Sequence, residues 1–97
     1  MPKGYWIATY KSVKDPAKLA EYAKTAAPAM EAGGAKFLAR GMPAKVFEAG
    51  LNQRTVVIEF PSVEAALKTH DSETYQKALK VLGTSAEREI RIVEGLE

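Results

Sequence analysis

Cysteine is absent from the 97 residues. Disulfides, thiolate metal sites and a thiol nucleophile are therefore excluded. Histidine occurs once, at His70, so one chain cannot assemble a multi-histidine metal site. No uncharged apolar run approaches the roughly 18–20 residues a membrane span needs, so no membrane partner is expected. The chain does not open with a basic segment followed by an apolar run, and the expected location is cytoplasmic. Like charges do not cluster either. Lys3, Lys11, Lys14, Lys18, Lys24, Lys36 and Lys45 are scattered, whereas a nucleic-acid binder concentrates positive charge in a patch interleaved with aromatics. Nucleic acid is not an expected partner. There is no Gly-x-Ser-x-Gly elbow, phosphate-cradling loop, dinucleotide fingerprint or paired-carboxylate motif. No metal, flavin or haem is expected as a cofactor.

What remains is an ordinary globular composition, 46% apolar and 27% charged, long enough for one domain over residues 1–97. The net charge of +2 divides unevenly. Residues 1–48 carry eight basic and four acidic side chains; residues 49–97 carry six and eight.

Residues 4–11 are aromatic and β-branched and predict a first strand, with bulk at both alternating sets, Tyr5/Ile7/Thr9 and Trp6/Ala8/Tyr10. Bulk on both sides implies cover on both sides. Asp15-Pro16 starts a helix, because Asp15 can cap free amides and Pro16 suits the first helical position. Leu19, Tyr22, Ala23, Ala26 and Met30 follow at helical spacing, and Gly33-Gly34 ends it. Pro28 lies inside this pattern and predicts a kink or break near Ala26–Ala27, giving two helical pieces.

Residues 35–40 alternate as a second strand, with an extension over 45–48 after an interruption at Gly41-Met42-Pro43. Residues 54–60 form a third strand. Pro61-Ser62 opens a second helix, the chain re-caps around His70-Asp71-Ser72 for a third, and residues 88–93 close as a fourth strand. The order β-α-β-β-α-β is the split pattern of the ferredoxin-like α+β fold. Its antiparallel sheet carries helices on one face only. Phe37, Ala39, Val56, Ile58 and Phe60 are expected on the helix side. The other face would expose Leu38, Val57 and part of the first strand, and a bare apolar patch of this kind marks an interface. A homodimer is expected.

The candidate site residues are Arg40, Glu59, His70, Tyr75 and Trp6. Alternation places Arg40 and Glu59 on neighbouring strands, both on the face away from the helices, where they could meet. Such a pair is either an anion-binding guanidinium with its carboxylate or a cross-strand ion pair at an interface. His70 is a lone acid–base candidate, or a plain helix-end residue. Trp6 and Tyr75, with Tyr5, Tyr10 and Tyr22, are candidate walls for a small organic ligand, or simply core.

The segments Gly4-Tyr5-Trp6-Ile7-Ala8, Gly33-Gly34 with Phe37-Leu38-Ala39-Arg40-Gly41, Ile58-Glu59-Phe60-Pro61-Ser62, Ser72-x-x-Tyr75-Gln76 and Ile92-Val93-Glu94-Gly95 occur in order along the chain. Together they resemble a bacterial family, domain of unknown function 1330, of the dimeric α+β barrel superfamily. The chain departs from that family's usual residues at Met42, His70 and Leu82. The resemblance implies a ferredoxin-like protomer whose sheet packs on a second copy. At superfamily level it points to cofactor-free monooxygenases, muconolactone isomerase-like proteins and haem-binding chlorite dismutases. Two readings stay open. One is a small-molecule protein, as a cofactor-free oxygenase or isomerase. The other is a non-catalytic dimeric binding or accessory module. A cavity touching Arg40 favours the first, and a filled barrel favours the second.

Overall fold

The computed structural model describes residues 2–96. The elements are β1 (Gly4–Val13), α1 (Pro16–Ala32), β2 (Lys36–Gly41), β3 (Thr55–Phe60), α2 (Val63–Asp71), α3 (Glu73–Leu82) and β4 (Ala86–Glu94). The strands form one antiparallel sheet in the order β2-β3-β1-β4. This is the expected ferredoxin-like α+β architecture, with β1 and β3 central and β2 and β4 at the edges.

Local chemistry sets the boundaries. The Asp15 carboxylate accepts the Lys18 amide at 3.2 Å and Pro16 begins α1, which removes an orphan donor at the helix start. Gly33 ends the helix where a Cβ would collide with the Thr69 side chain, and Gly34 turns the chain with φ +80°, a conformation open to glycine. Ser62 caps α2 through the Ala65 amide, and Ser72 caps α3 through the Tyr75 amide.

Two expectations are corrected. Helix α1 is continuous through Pro28, not two pieces. Its inner face, Tyr22, Ala26, Ala29 and Met30, is buried on both sides of the proline, and this packing holds the helix together despite one missing backbone donor. Residues 45–48 form no strand. Val46 and Phe47 are exposed, so nothing pairs with them or covers them.

The core lies between the helices and one sheet face. Trp6, Ala8 and Tyr10 of β1, Val56, Ile58 and Phe60 of β3, and Tyr75, Ala78 and Leu82 of α3 are buried in it. Trp6, Phe60 and Tyr75 are the largest fully buried side chains. The Trp6 ring stacks on Phe60 at 5.9 Å and meets Tyr75 edge-on at 5.2 Å, geometries that add to the burial term. The other sheet face carries no helix.

Candidate functional site

Small side chains leave a void under α1. Ala23, Ala26 and Ala27 on the helix, with Ala8 on β1 and Ala35 ahead of β2, line a cavity of about 360 Å³. That is within the usual size range for small-molecule sites. Trp6, Met30, Phe37, Val56 and Ile58 supply further apolar wall. Polar groups enter from one part of the sheet. Tyr10 pairs with Arg88 on β4, and its amide donates to the Arg54 carbonyl just ahead of β3 at 2.9 Å. In the next row Arg40 pairs with Val56. All three arginines line the cavity.

Arg88 is the most tightly held. Its Nη1 donates to the Tyr10 hydroxyl at 3.1 Å and its Nη2 to the Tyr75 hydroxyl at 3.0 Å. Its guanidinium lies 4.6 Å from the Tyr22 ring centroid. The Tyr22 and Tyr75 hydroxyls are 2.6 Å apart. Burial pulls the Arg88 pKa down, but the surrounding phenol oxygens of Tyr22, Tyr75 and Tyr10 outweigh it and leave the pKa above its ordinary value. Burial drives the Tyr75 phenol well above its ordinary range, with Tyr22 adding to the rise, so Tyr75 is a neutral hydrogen-bonding group and not a base. Arg54 sits 5.9 Å from the Tyr10 ring centroid, and its Nε is buried without a hydrogen-bond partner. Arg40 packs over Phe37 at 5.4 Å. Among the described residues, none of the three forms an ion pair with a carboxylate. Glu31 is the single acidic side chain in the cavity lining.

The structure separates Arg40 from Glu59, correcting the expected pair. The register between β2 and β3 shifts between Phe37 and Ala39, leaving Leu38 as an extra residue. A one-residue insertion inverts every later side chain in the strand. Phe37 remains on the helix side opposite Ile58, but Ala39 lies opposite Val57 on the open face and Arg40 turns inward opposite Val56. Glu59 stays on the open face, where it accepts a 2.7 Å ion pair from Lys3 and a longer contact, 3.5 Å, from the Tyr5 hydroxyl. The Lys3 hydrogen bond holds the Glu59 carboxyl below its ordinary pKa, and the same bond raises Lys3. Stability from this pair is therefore present above the ordinary carboxylate pKa and lost as pH falls through the lowered value. On the lysine side it is present below the ordinary lysine pKa and lost as pH rises through the raised one.

Trp6 lines the cavity, and Tyr75 stands behind it, bonded to Arg88 and Tyr22. His70 is outside the lining. Its ring packs 5.7 Å from Trp6 and 5.3 Å from Tyr75, and its Nδ1 lies 3.2 Å from an Asp71 carboxylate oxygen. It supports the aromatic wall from the α2 side.

A family model described as domain of unknown function, DUF1330, matches residues 3–96. The chain belongs to the DUF1330 family. No curated relative matches the sequence. Among solved structures, this DUF1330 chain is similar to a protein of unknown function from Rhodopseudomonas palustris, with TM-score 0.75 and 15% identity, covering 99% of this chain and 84% of that one. It is also similar to SnoaB, a cofactor-independent oxygenase from Streptomyces nogalater, with TM-score 0.69 and 8% identity over 100% and 96% of the two chains. A dimeric ferredoxin-like protein of unknown function from Thermobifida fusca aligns with TM-score 0.62 and 16% identity over 96% and 91%. At these identities the likeness establishes the fold that the DUF1330 chain shares with them.

Sequence reasoning missed Arg54 and Arg88 in this DUF1330 site and treated Tyr22 only as wall. Arg88 had a readable signal. It is two residues ahead of Ile90 and four ahead of Ile92, so alternation along β4 sets a guanidinium on the face otherwise occupied by core isoleucines. Arg54 precedes β3 by one residue but opens the expected strand 54–60 two residues ahead of Val56, so the same alternation sets it on the face of Val56, Ile58 and Phe60. Among the described residues, no cluster of His, Cys, Asp or Glu could hold a metal ion, and no helix is long and apolar enough to cross a membrane.

Proposed function

We propose that this protein binds a compact organic anion in the cavity under α1 and works as a homodimer. An enolisable or phenolic member of that ligand class would be its substrate, in a cofactor-free oxygenation with dioxygen as the oxidant or in an isomerisation. The observation that carries this reading is the convergence of Arg40, Arg54 and Arg88, without carboxylate partners among the described residues, on a cavity whose other walls are largely apolar. The Arg54 Nε is buried without a hydrogen-bond partner, an arrangement that is costly to maintain, and an anionic ligand would complete it. Isomerisation and cofactor-free oxygenation both begin with loss of a proton to give an enolate or phenolate. Fixed positive charge beside it stabilises that anion. Glu31 is the carboxylate in the lining available to take the proton. The fold shared with a cofactor-independent oxygenase is consistent with this chemistry.

Trp6 is the sole tryptophan and lines the cavity, so its fluorescence reports occupancy. Benzoate is expected to change Trp6 emission saturably, with an affinity that falls as salt is raised, while the neutral isostere benzamide binds more weakly. Equal binding of the two, or no saturable response to either, would sink the reading. Binding without turnover of any enolisable analogue would favour the non-catalytic module over the enzyme.

The homodimer would form through the helix-free face. Tyr5 and Ile7 of β1, Val57 of β3 and Val93 of β4 line up there, and Val93 and Leu38 are about half exposed in the single chain. Light scattering at micromolar concentration should give twice the chain mass. A stable monomer would remove the dimer from the proposal and leave the cavity untouched.

A further inference from the structure

The hydrogen bonds around Tyr75 have a direction that can be deduced. Guanidinium nitrogens only donate, so the Tyr75 oxygen accepts from Arg88 Nη2. Its other polar neighbour among the described residues is the Tyr22 oxygen, 2.6 Å away. If Tyr22 donated to Tyr75, the Tyr75 proton would have no acceptor. Tyr75 is fully buried, and an unsatisfied buried hydroxyl is strongly disfavoured. The reverse order satisfies Tyr75 and leaves the free proton on the residue that lines the cavity. Arg88 donates to Tyr75, Tyr75 donates to Tyr22, and the Tyr22 proton is left over. Tyr22 lines the cavity, whereas Tyr75 does not.

We infer that the Tyr22 hydroxyl is a hydrogen-bond donor aimed at an anionic ligand oxygen, set in that role by the Arg88–Tyr75 relay. The inference rests on the binding reading above and adds the residue that meets the anion and the sign of the contact. The chain begins on a fixed positive charge, and successive hydrogen bonds polarise one another in a low-dielectric site. Tyr22 is therefore a stronger donor than an isolated phenol and suits a carboxylate, enolate or phenolate oxygen. It would discriminate against ligands presenting an N–H or O–H at the same place, because the Tyr22 oxygen already accepts from Tyr75.

The test compares benzoate with its neutral near-isostere nitrobenzene in wild type, Tyr22→Phe and Tyr75→Phe, read by binding calorimetry. Tyr22→Phe removes the donor and keeps the ring against which Arg88 packs. It is expected to weaken benzoate by about tenfold or more, the range of a hydrogen bond to a charged group, and to leave nitrobenzene nearly unchanged. Tyr75→Phe breaks the relay but leaves a Tyr22 hydroxyl, so its loss should be smaller and again confined to benzoate. Undiminished benzoate binding in Tyr22→Phe, with benzoate binding intact in wild type, overturns the relay and leaves the binding reading standing. Failure of both probes in wild type overturns both. Should Tyr22→Phe not fold, proton NMR of wild type decides the point. Benzoate is expected to shift a slowly exchanging tyrosine hydroxyl resonance downfield, and no change at saturation would overturn the relay.

Discussion

Arg88→Met should destabilise the protein by about 2 kcal/mol and weaken benzoate binding by roughly ten- to a hundredfold. Two hydrogen bonds from a charged donor, to Tyr10 and Tyr75, disappear, and each bond of this kind is worth about 1.5–3 kcal/mol when truncated. The sum is partly offset. Methionine is apolar, fills irregular space and needs no desolvation of a charge. The affinity loss follows because the relay loses its positive end and the cavity loses a guanidinium. Thermal or urea unfolding gives the first quantity and titration of Trp6 fluorescence the second. Full stability with full benzoate affinity would show that Arg88 is a surface residue in solution and would undo the site. Arg54→Met provides the contrast. Its buried Nε has no partner, so stability should hold while benzoate affinity falls, the pattern of a residue retained for binding at some cost to folding.

Trp6→Ala should be the most destabilising single change, costing about 3–5 kcal/mol. Trp6 is 1% exposed and contacts Phe60, Tyr75 and His70 ring to ring. Truncation would remove the wall between the cavity and the α2–α3 aromatics and merge a new void with an existing one. A domain of this size has a total stability of about 5–15 kcal/mol, so the variant should unfold at far lower urea than wild type. A shift below about 1 kcal/mol would mean that the aromatic cluster repacks freely. Trp6→Phe separates packing from shape, since it keeps a ring in place and should recover most of the loss.

Arg40 and Glu59 show where strand alternation stops being a guide. Reading residues 35–40 as a strict two-residue repeat set both side chains on the open face. The extra residue at Leu38 inverts the second half of β2, so Arg40 enters the cavity and Glu59 pairs with Lys3 on the opposite side of the sheet. Nothing in Lys36-Phe37-Leu38-Ala39 marks a bulge. Phe37 and Leu38 are both apolar, both about half exposed, and either could have faced inward. Arg40 lines the cavity even so, on the face opposite to the one alternation gives it. Its partner was misassigned because pairing depends on register. Pro28 is a similar case. The local cost of a mid-helix proline is real, but α1 is buried on both sides of it, and that packing outweighs the lost hydrogen bond.

The sequence by itself determined the order of elements, the caps at Asp15, Ser62 and Ser72, the ferredoxin-like pattern and the family. These follow from residue-type periodicity and turn chemistry, which act over a few neighbours. The absence of cysteine also excluded disulfides and thiol chemistry, through composition alone. The tertiary structure decided where the cavity is and what lines it. The five cavity alanines come from helix, strand and loop segments up to 27 positions apart and become a void only when α1 lies on β1. Arg88, Tyr75, Tyr22 and Tyr10 belong to four elements and touch only after β1 has paired with β4 and α3 has docked beside α1. A hydrogen-bonded relay with a direction is a property of distances between such groups, and distance across a fold is the quantity that residue spacing along a chain does not encode.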